Sequence, residues 1–267
     1  MTTIAPFSEA AHVTPTSDGD FVADIPAGWG QGRTAFGGLG AAILVNAVTH
    51  LPEVAGLPVR SVDAAFIGPV APGPVHVRAT VLRQGRNLTH CAAQLMAQPG
   101  GPALTTVHVV LGRLRESDVS VSEQAPGMVP IEDCTPMPYI EGLTPDFTQN
   151  FDFRFATGFP YTGSSEASVT GWCRHRTPER GAAAMVGLVD AWPGTILPML
   201  TAPAPASTVR WSVQFPTDED IRGDDWFWYS SVCPTAAGGY STMTAQLWLR
   251  GRLVSWSEQL LAIFDRR

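Results

Sequence analysis

The sequence predicts an α+β protein made of two tandem copies of one unit, a buried helix followed by an antiparallel meander. Two long Gly/Ala-rich apolar stretches, residues 35–51 and 178–197, supply the helices. Each is followed by four short runs of alternating apolar and polar residues separated by Gly and Pro. Between the copies, residues 115–149 are rich in Pro, Ser and acids and hold no sustained period.

The first helix, "AFGGLGAAILVNAVTHL" (35–51), is too long for a strand and apolar on every side, which reads as a helix enclosed by other elements. The strand-like runs 59–68, 75–85, 88–98 and 103–114 follow, punctuated by "GPVAPGP", "QGRN" and "QPGGP" as antiparallel turns would be. The second copy opens with strand-like runs at 151–158 and 166–176. Pro178 then suits the first turn of a helix over 178–197, and further strands are expected at 207–215, 226–234, 240–251 and 253–264. The expected division is residues 1–114, a linker at 115–149, and residues 150–267. Each copy alone would expose a sheet edge; pairing them side by side would merge those edges into one sheet, a pseudo-dimer in a single chain.

With 267 residues, 45% hydrophobic and 15% charged, the chain has the composition of a globular protein with a large core. Its net charge is −7 and all of its basic residues are Arg, so no nucleic-acid partner is expected. No run of roughly 18 apolar residues suggests a membrane span, and the first twenty residues lack the order of a signal peptide. Four scattered cysteines, none in CxxC spacing, read as reduced thiols of a cytoplasmic protein. The six histidines form no HxxxH or HExxH pattern, so no metal is expected. "GGLG" does not follow a strand in a βαβ unit, which argues against dinucleotide binding. The acidic stretch "TDEDIRGDD" (217–225) reads as a solvated loop, without calcium-loop spacing.

One residue stands out. Asp190 lies in "MVGLVDAWPGTIL" (185–197), a carboxylate inside an apolar helical run, where an unpaired charge is costly. A nearby Arg such as Arg210 could satisfy it without any catalytic role. The first copy carries Asn46 at the matching place, after a Leu-Val or Ile-Leu-Val run and before Ala, so one reactive centre per chain is the natural reading, with Asn46 structural.

The pairing of "FGGLGAAILVNA" and "VLRQGRNLTHCAAQLMAQ" in the first copy with "DDWFWYSSVCPTAAGGYSTMTAQLWLRGRLVSWSEQ" in the second resembles the double-hotdog acyl-CoA thioesterases of the acyl-CoA thioesterase II type. The resemblance spans nearly the whole chain. It implies a double hotdog, in which each curved antiparallel sheet wraps a central helix, and hydrolysis of acyl-CoA without a cofactor. It maps the family's catalytic acid onto Asp190, its hydroxyl onto Thr208 (with Ser207 adjacent) and its amide onto Gln259. It also implies a homo-oligomer. Arg210 and Trp211 depart from the smaller, acidic or imidazole groups more usual after the hydroxyl.

The chemistry of that trio is coherent. A carboxylate in hydrogen-bond reach of water takes its proton during attack, typically worth about 10²–10⁴-fold. Apolar neighbours should raise the pKa of Asp190 and hydrogen bonds from Thr208 and Gln259 should lower it. Asp190 lies about 14 Å along its own helix from Gly181, too far to use that helix's positive end. If the two helices run antiparallel, the N–H groups of Gly37 and Gly38 face the thioester carbonyl instead and bind the substrate there. Two other classes compete. A hotdog enoyl-CoA hydratase would show His five residues after its Asp, where this chain has Thr195; a non-catalytic acyl-CoA or acyl-carrier binding protein would bind without turnover. A serine hydrolase is disfavoured by the lack of GxSxG.

Overall fold

The structure, a computed structural model, describes residues 5–217 and 225–265. Most of the acidic stretch read as a solvated loop (218–224) lies outside the described residues.

A short helix α1 (Phe7–Ala10) leads into β1 (Thr14–Ser17) and β2 (Asp20–Ile25), and a small ribbon, β3 (Gly30–Gln31) with β4 (Thr34–Ala35), delivers the chain to α2 (Gly37–Thr49). The meander β5 (Val59–Phe66), β6 (Gly73–Gln84), β7 (Thr89–Met96) and β8 (Ala103–Leu111) follows. The second half comprises β9 (Thr135–Pro136), β10 (Phe151–Thr157), β11 (Ser168–His175), α3 (Gly181–Asp190), β12 (Ala206–Gln214), β13 (Phe227–Ala237), β14 (Tyr240–Leu249) and β15 (Arg252–Ile263).

Apart from the separate β3–β4 ribbon, the strands among the described residues form one antiparallel sheet ordered β1-β2-β6-β7-β8-β5-β12-β15-β14-β13-β11-β10-β9. The two halves meet at β5 and β12, where Ser61 to Ala65 pair with Gln214 to Arg210. The expected fusion of exposed edges into one sheet is therefore present, and the architecture is a double hotdog. Strand side chains alternate in burial, as in β7 and β8, so one face of the sheet wraps the helices. From Gly38 to Val48 every α2 residue except Asn46 is buried, which is why its sequence is apolar all round.

Several elements differ from the sequence expectation, including β9, which lies inside the expected linker. β1 and β2 extend the first half ahead of α2, in a segment whose short alternation is masked by Pro, Gly and Asp; they are the counterpart of β10 and β11. The second helix is shorter than expected, Gly181–Asp190 rather than 178–197, so Pro178 lies ahead of it and not in its first turn. Pro193 disfavours helical backbone at Trp192, and a Cβ at Gly194 would come 2.6 Å from Leu261 Cδ2, so the chain there must pass close under β15. Asp190 is thus the last residue of a helix rather than a mid-helix residue.

Residues between the halves cross the outer face of the second. Val129 accepts the Trp172 indole N–H at 2.8 Å, and Glu123 accepts from Gln246 Nε2 at 2.7 Å. All four cysteines are free thiols. Among the described residues no helix is long and apolar enough to cross a membrane, and no group of His, Cys, Asp and Glu is arranged to hold a metal.

Candidate active site

The end of α3 lies against the start of α2. A Cβ at Gly37 would sit 3.2 Å from Asp190 Oδ2, and one at Gly38 would sit 2.9 Å from Asp190 Cβ and 2.5 Å from the Phe36 ring. Neither glycine has a positive φ. What requires glycine is the close approach of the two helices, as the antiparallel expectation implied.

This approach matters electrostatically. The residue preceding α2 is Phe36, whose side chain offers no oxygen to the first-turn N–H groups. Asp190 fills that role from the other helix: its carboxylate accepts the Gly38 N–H, at the positive end of the α2 dipole. Gln259 Nε2 donates to Asp190 Oδ1 at 2.9 Å, and Thr208 Oγ1 donates to Gln259 Oε1 at 3.4 Å. The three expected residues are therefore brought together, but as a chain. Thr208 reaches Asp190 through Gln259 rather than directly, and the second donor to the carboxylate is the backbone of Gly38.

Burial of Asp190 still dominates. Desolvation pushes its pKa from the ordinary 3.8 up to about 7, against the lowering effects of Gln259 and Gly38. A small part of the residue remains open to solvent while the packing around it is dense, which suits a base that must meet water. Ion pairing does not explain Asp190: the salt bridges among the described residues do not include it, and Arg210 is exposed on β12.

Thr208 faces inward because β12 carries a bulge. Trp211 pairs with Gln259 and both are buried; simple alternation from Trp211 would then turn Val209 inward and Thr208 outward. The register instead shifts between Thr208 and Arg210, Thr208 pairs with Leu261, and Val209 is left out of the ladder and exposed. Ser207, the adjacent alternative, is exposed, with its hydroxyl turned to the Thr208 carbonyl.

Beyond Asp190 the interior is aromatic. Trp192 stacks on Tyr229 at 4.7 Å and meets the rings of Phe153 and Phe155 edge-on. Phe66 Cε1 would lie 3.2 Å from a Cβ at Gly37, so its ring borders the carboxylate from β5. Sequence reasoning missed Phe66; it stands last in β5, where no pattern sets it apart.

The matching place in the first half is filled. Asn46 Nδ2 donates to the Ala11 carbonyl at 2.8 Å, at the end of α1. The buried Glu179 accepts the N–H groups of Phe7 and Ser8, both at 3.0 Å, and a Cβ at Gly187 would strike the Phe7 ring at 2.3 Å. The structural reading of Asn46 thus has a concrete partner, the N-terminal segment packed where the second half has its carboxylate.

Comparison with known proteins bears on the fold and the family. A search of curated proteins finds no match. A hot dog-fold protein of unknown function from Alicyclobacillus acidocaldarius superposes with a TM-score of 0.86 at 22% identity, covering 96% of this chain and 97% of that one. An acyl-CoA thioesterase II, TesB2, from Mycobacterium marinum gives 0.74 at 17% identity over 96% and 97%. A TesB protein from Mycobacterium avium subsp. paratuberculosis gives 0.76 at 18% over 96% and 98%. At such identities these likenesses establish the fold. The family rests on sequence: residues 25–112 match the acyl-CoA thioesterase N-terminal domain and residues 131–263 the acyl-CoA thioesterase C-terminal domain, so the chain belongs to the acyl-CoA thioesterase family.

Proposed function

We propose that the chain hydrolyses acyl-CoA thioesters to the free acid and CoA, using water activated by Asp190. The observation that supports this best is the chain of contacts Thr208–Gln259–Asp190 ending beneath the α2 N-terminus, with burial pushing Asp190 to about 7. A base with that pKa is largely ionised just above neutrality and still strong enough to take a proton from attacking water.

In this reading Asp190 takes the proton as water attacks the thioester carbonyl carbon; the C–S bond then breaks, and the proton passes from Asp190 to the departing CoA sulfur or to solvent, which restores the carboxylate. Gln259 fixes the carboxylate and Thr208 fixes the amide so that its N–H₂ faces Asp190. The Gly38 N–H is used on the base, which leaves Gly37 at the α2 start as the donor for the developing oxyanion. No cofactor enters these steps.

The test is CoA release from a series of acyl-CoA substrates by wild type, Asp190→Asn, Thr208→Val and Gln259→Leu. The reading expects turnover that falls at least about 100-fold in Asp190→Asn and less in the other two. Acyl-CoA binding with no CoA release would make the chain a binding protein instead.

A further inference from the structure

Away from Asp190, the sheet end formed by β9, β10 and β11 carries a cavity of about 300 Å³ that the hydrolytic reading does not use. Three of its walls are arginines, Arg154, Arg174 and Arg176, and another is Trp226. In a chain with net charge −7 that concentration of positive charge is unusual.

Register explains how it forms. Asp152 and Arg174 are directly paired across β10 and β11 on the outer face of the sheet, and Arg154 follows two residues on. Asp152 accepts from Arg174 Nε at Oδ2 and from Arg176 Nε at Oδ1, both at 2.9 Å. One carboxylate therefore orients two guanidinium groups through their Nε atoms, and their terminal NH₂ groups remain for other acceptors. Counting the charged side chains that line the cavity, three Arg and one Asp leave a formal excess of two positive charges. Glu132 and Asp133, just before β9, do not line it. The Arg174 guanidinium lies 4.5 Å from the centre of the Trp226 ring, so a flat cation and a flat aromatic surface share one wall.

Preoriented guanidiniums suit phosphate oxygens, and planar indole and guanidinium surfaces suit a base ring. We propose that this cavity binds a phosphate-bearing adenine nucleotide. Two sources share that chemistry: the nucleotide end of CoA, in which case the inference rests on the proposed function, and a free nucleotide. A link to the Asp190 site exists through β10. Its outward Asp152 and Arg154 flank Phe153, whose ring packs at 5.4 Å against Trp192, two residues beyond Asp190.

Titration calorimetry of the full chain with adenosine 3′,5′-bisphosphate, ADP, inorganic phosphate and adenosine tests this. The expected result is saturable binding of both nucleotides. It should weaken about tenfold or more in Arg154→Gln and in Trp226→Leu, and weaken with added salt. Arg154→Gln spares the Asp152 ion pairs, and circular dichroism checks that each variant folds. Absence of saturable nucleotide binding, or equal affinity in wild type and both variants, overturns the proposal. Adenosine 3′,5′-bisphosphate competing with acyl-CoA in the hydrolysis assay assigns the cavity to the substrate's own nucleotide; binding without competition assigns it to a free one. A chain that binds nucleotide but releases no CoA from any thioester would keep this site and remove the hydrolytic reading.

Discussion

The Asp190 carboxylate accepts the backbone N–H of Gly38, so the last residue of one central helix caps the first turn of the other. An ordinary cap comes from the helix's own preceding residue and contributes about 0.5–2 kcal/mol. Here Phe36 occupies that position and the capping oxygen is borrowed across the interface. The arrangement carries a cost, since desolvation outweighs both donors and Asp190 titrates near 7.

The pH dependence of turnover follows. With Asp190 active only when ionised, kcat/KM should rise with pH as one proton is lost, with a midpoint near about 7, and then level off. A profile flat from pH 5 to 9 would remove Asp190 as the base.

Stability should move the other way. The folded pKa of Asp190 lies above its ordinary 3.8, so its contribution to stability is present in acid and is lost as pH rises through about 7. Asp190→Asn removes that loss, and its Tm relative to wild type should improve by a few degrees between pH 5 and pH 8. Thermal scans at the two pH values check this against the loss of activity.

Gly38→Ala should be more damaging than Gly37→Ala. A Cβ at Gly38 meets Phe36 at 2.5 Å and Asp190 at 2.9 Å, whereas one at Gly37 meets its neighbours at 3.2 Å. Overpacking of this kind costs about 1–3 kcal/mol, and displacement of Asp190 should lower kcat about 100-fold in Gly38→Ala. Steady-state kinetics and denaturant midpoints for both variants measure the order.

His175 gives a separate acid signature. It is buried, its Nε2–H donates to the Ala184 carbonyl at 2.9 Å, and burial lowers its pKa from 6.5 to about 4. Its contribution is intact above about 6.5 and is lost as pH falls toward about 4. In the Asp190→Asn background, which silences the opposing titration, the denaturant midpoint should drop over that window, and His175→Phe should flatten the drop.

Much of this was legible in the sequence because periodicity and composition report burial. The strands β5 to β8 and β12 to β15 alternate, and α2 is apolar all round because it is enclosed. Asp190, Thr208 and Gln259 were reachable through the resemblance, and their meeting is visible in contacts of 2.9 and 3.4 Å. Other features lie beyond local pattern. Alternation alone puts Thr208 and Trp211 on opposite faces, and only the bulge at Val209 reconciles them. The capping of α2 by Asp190 depends on helix packing, and the gathering of Arg154, Arg174 and Arg176 depends on the register of β10 against β11. The partners of Glu179, Phe7 and Ser8, lie more than 170 residues earlier, beyond the reach of any local pattern.

The seam between β5 and β12 has a mechanical consequence. Five consecutive residue pairs stitch Ser61–Ala65 to Arg210–Gln214 through main-chain hydrogen bonds, and the carboxylate stands on one side of that stitching while the glycines it leans on stand on the other. A single protease nick in the connector between the halves should therefore leave one particle rather than two, still carrying its reactive centre, and the two fragments should come apart only when both melt.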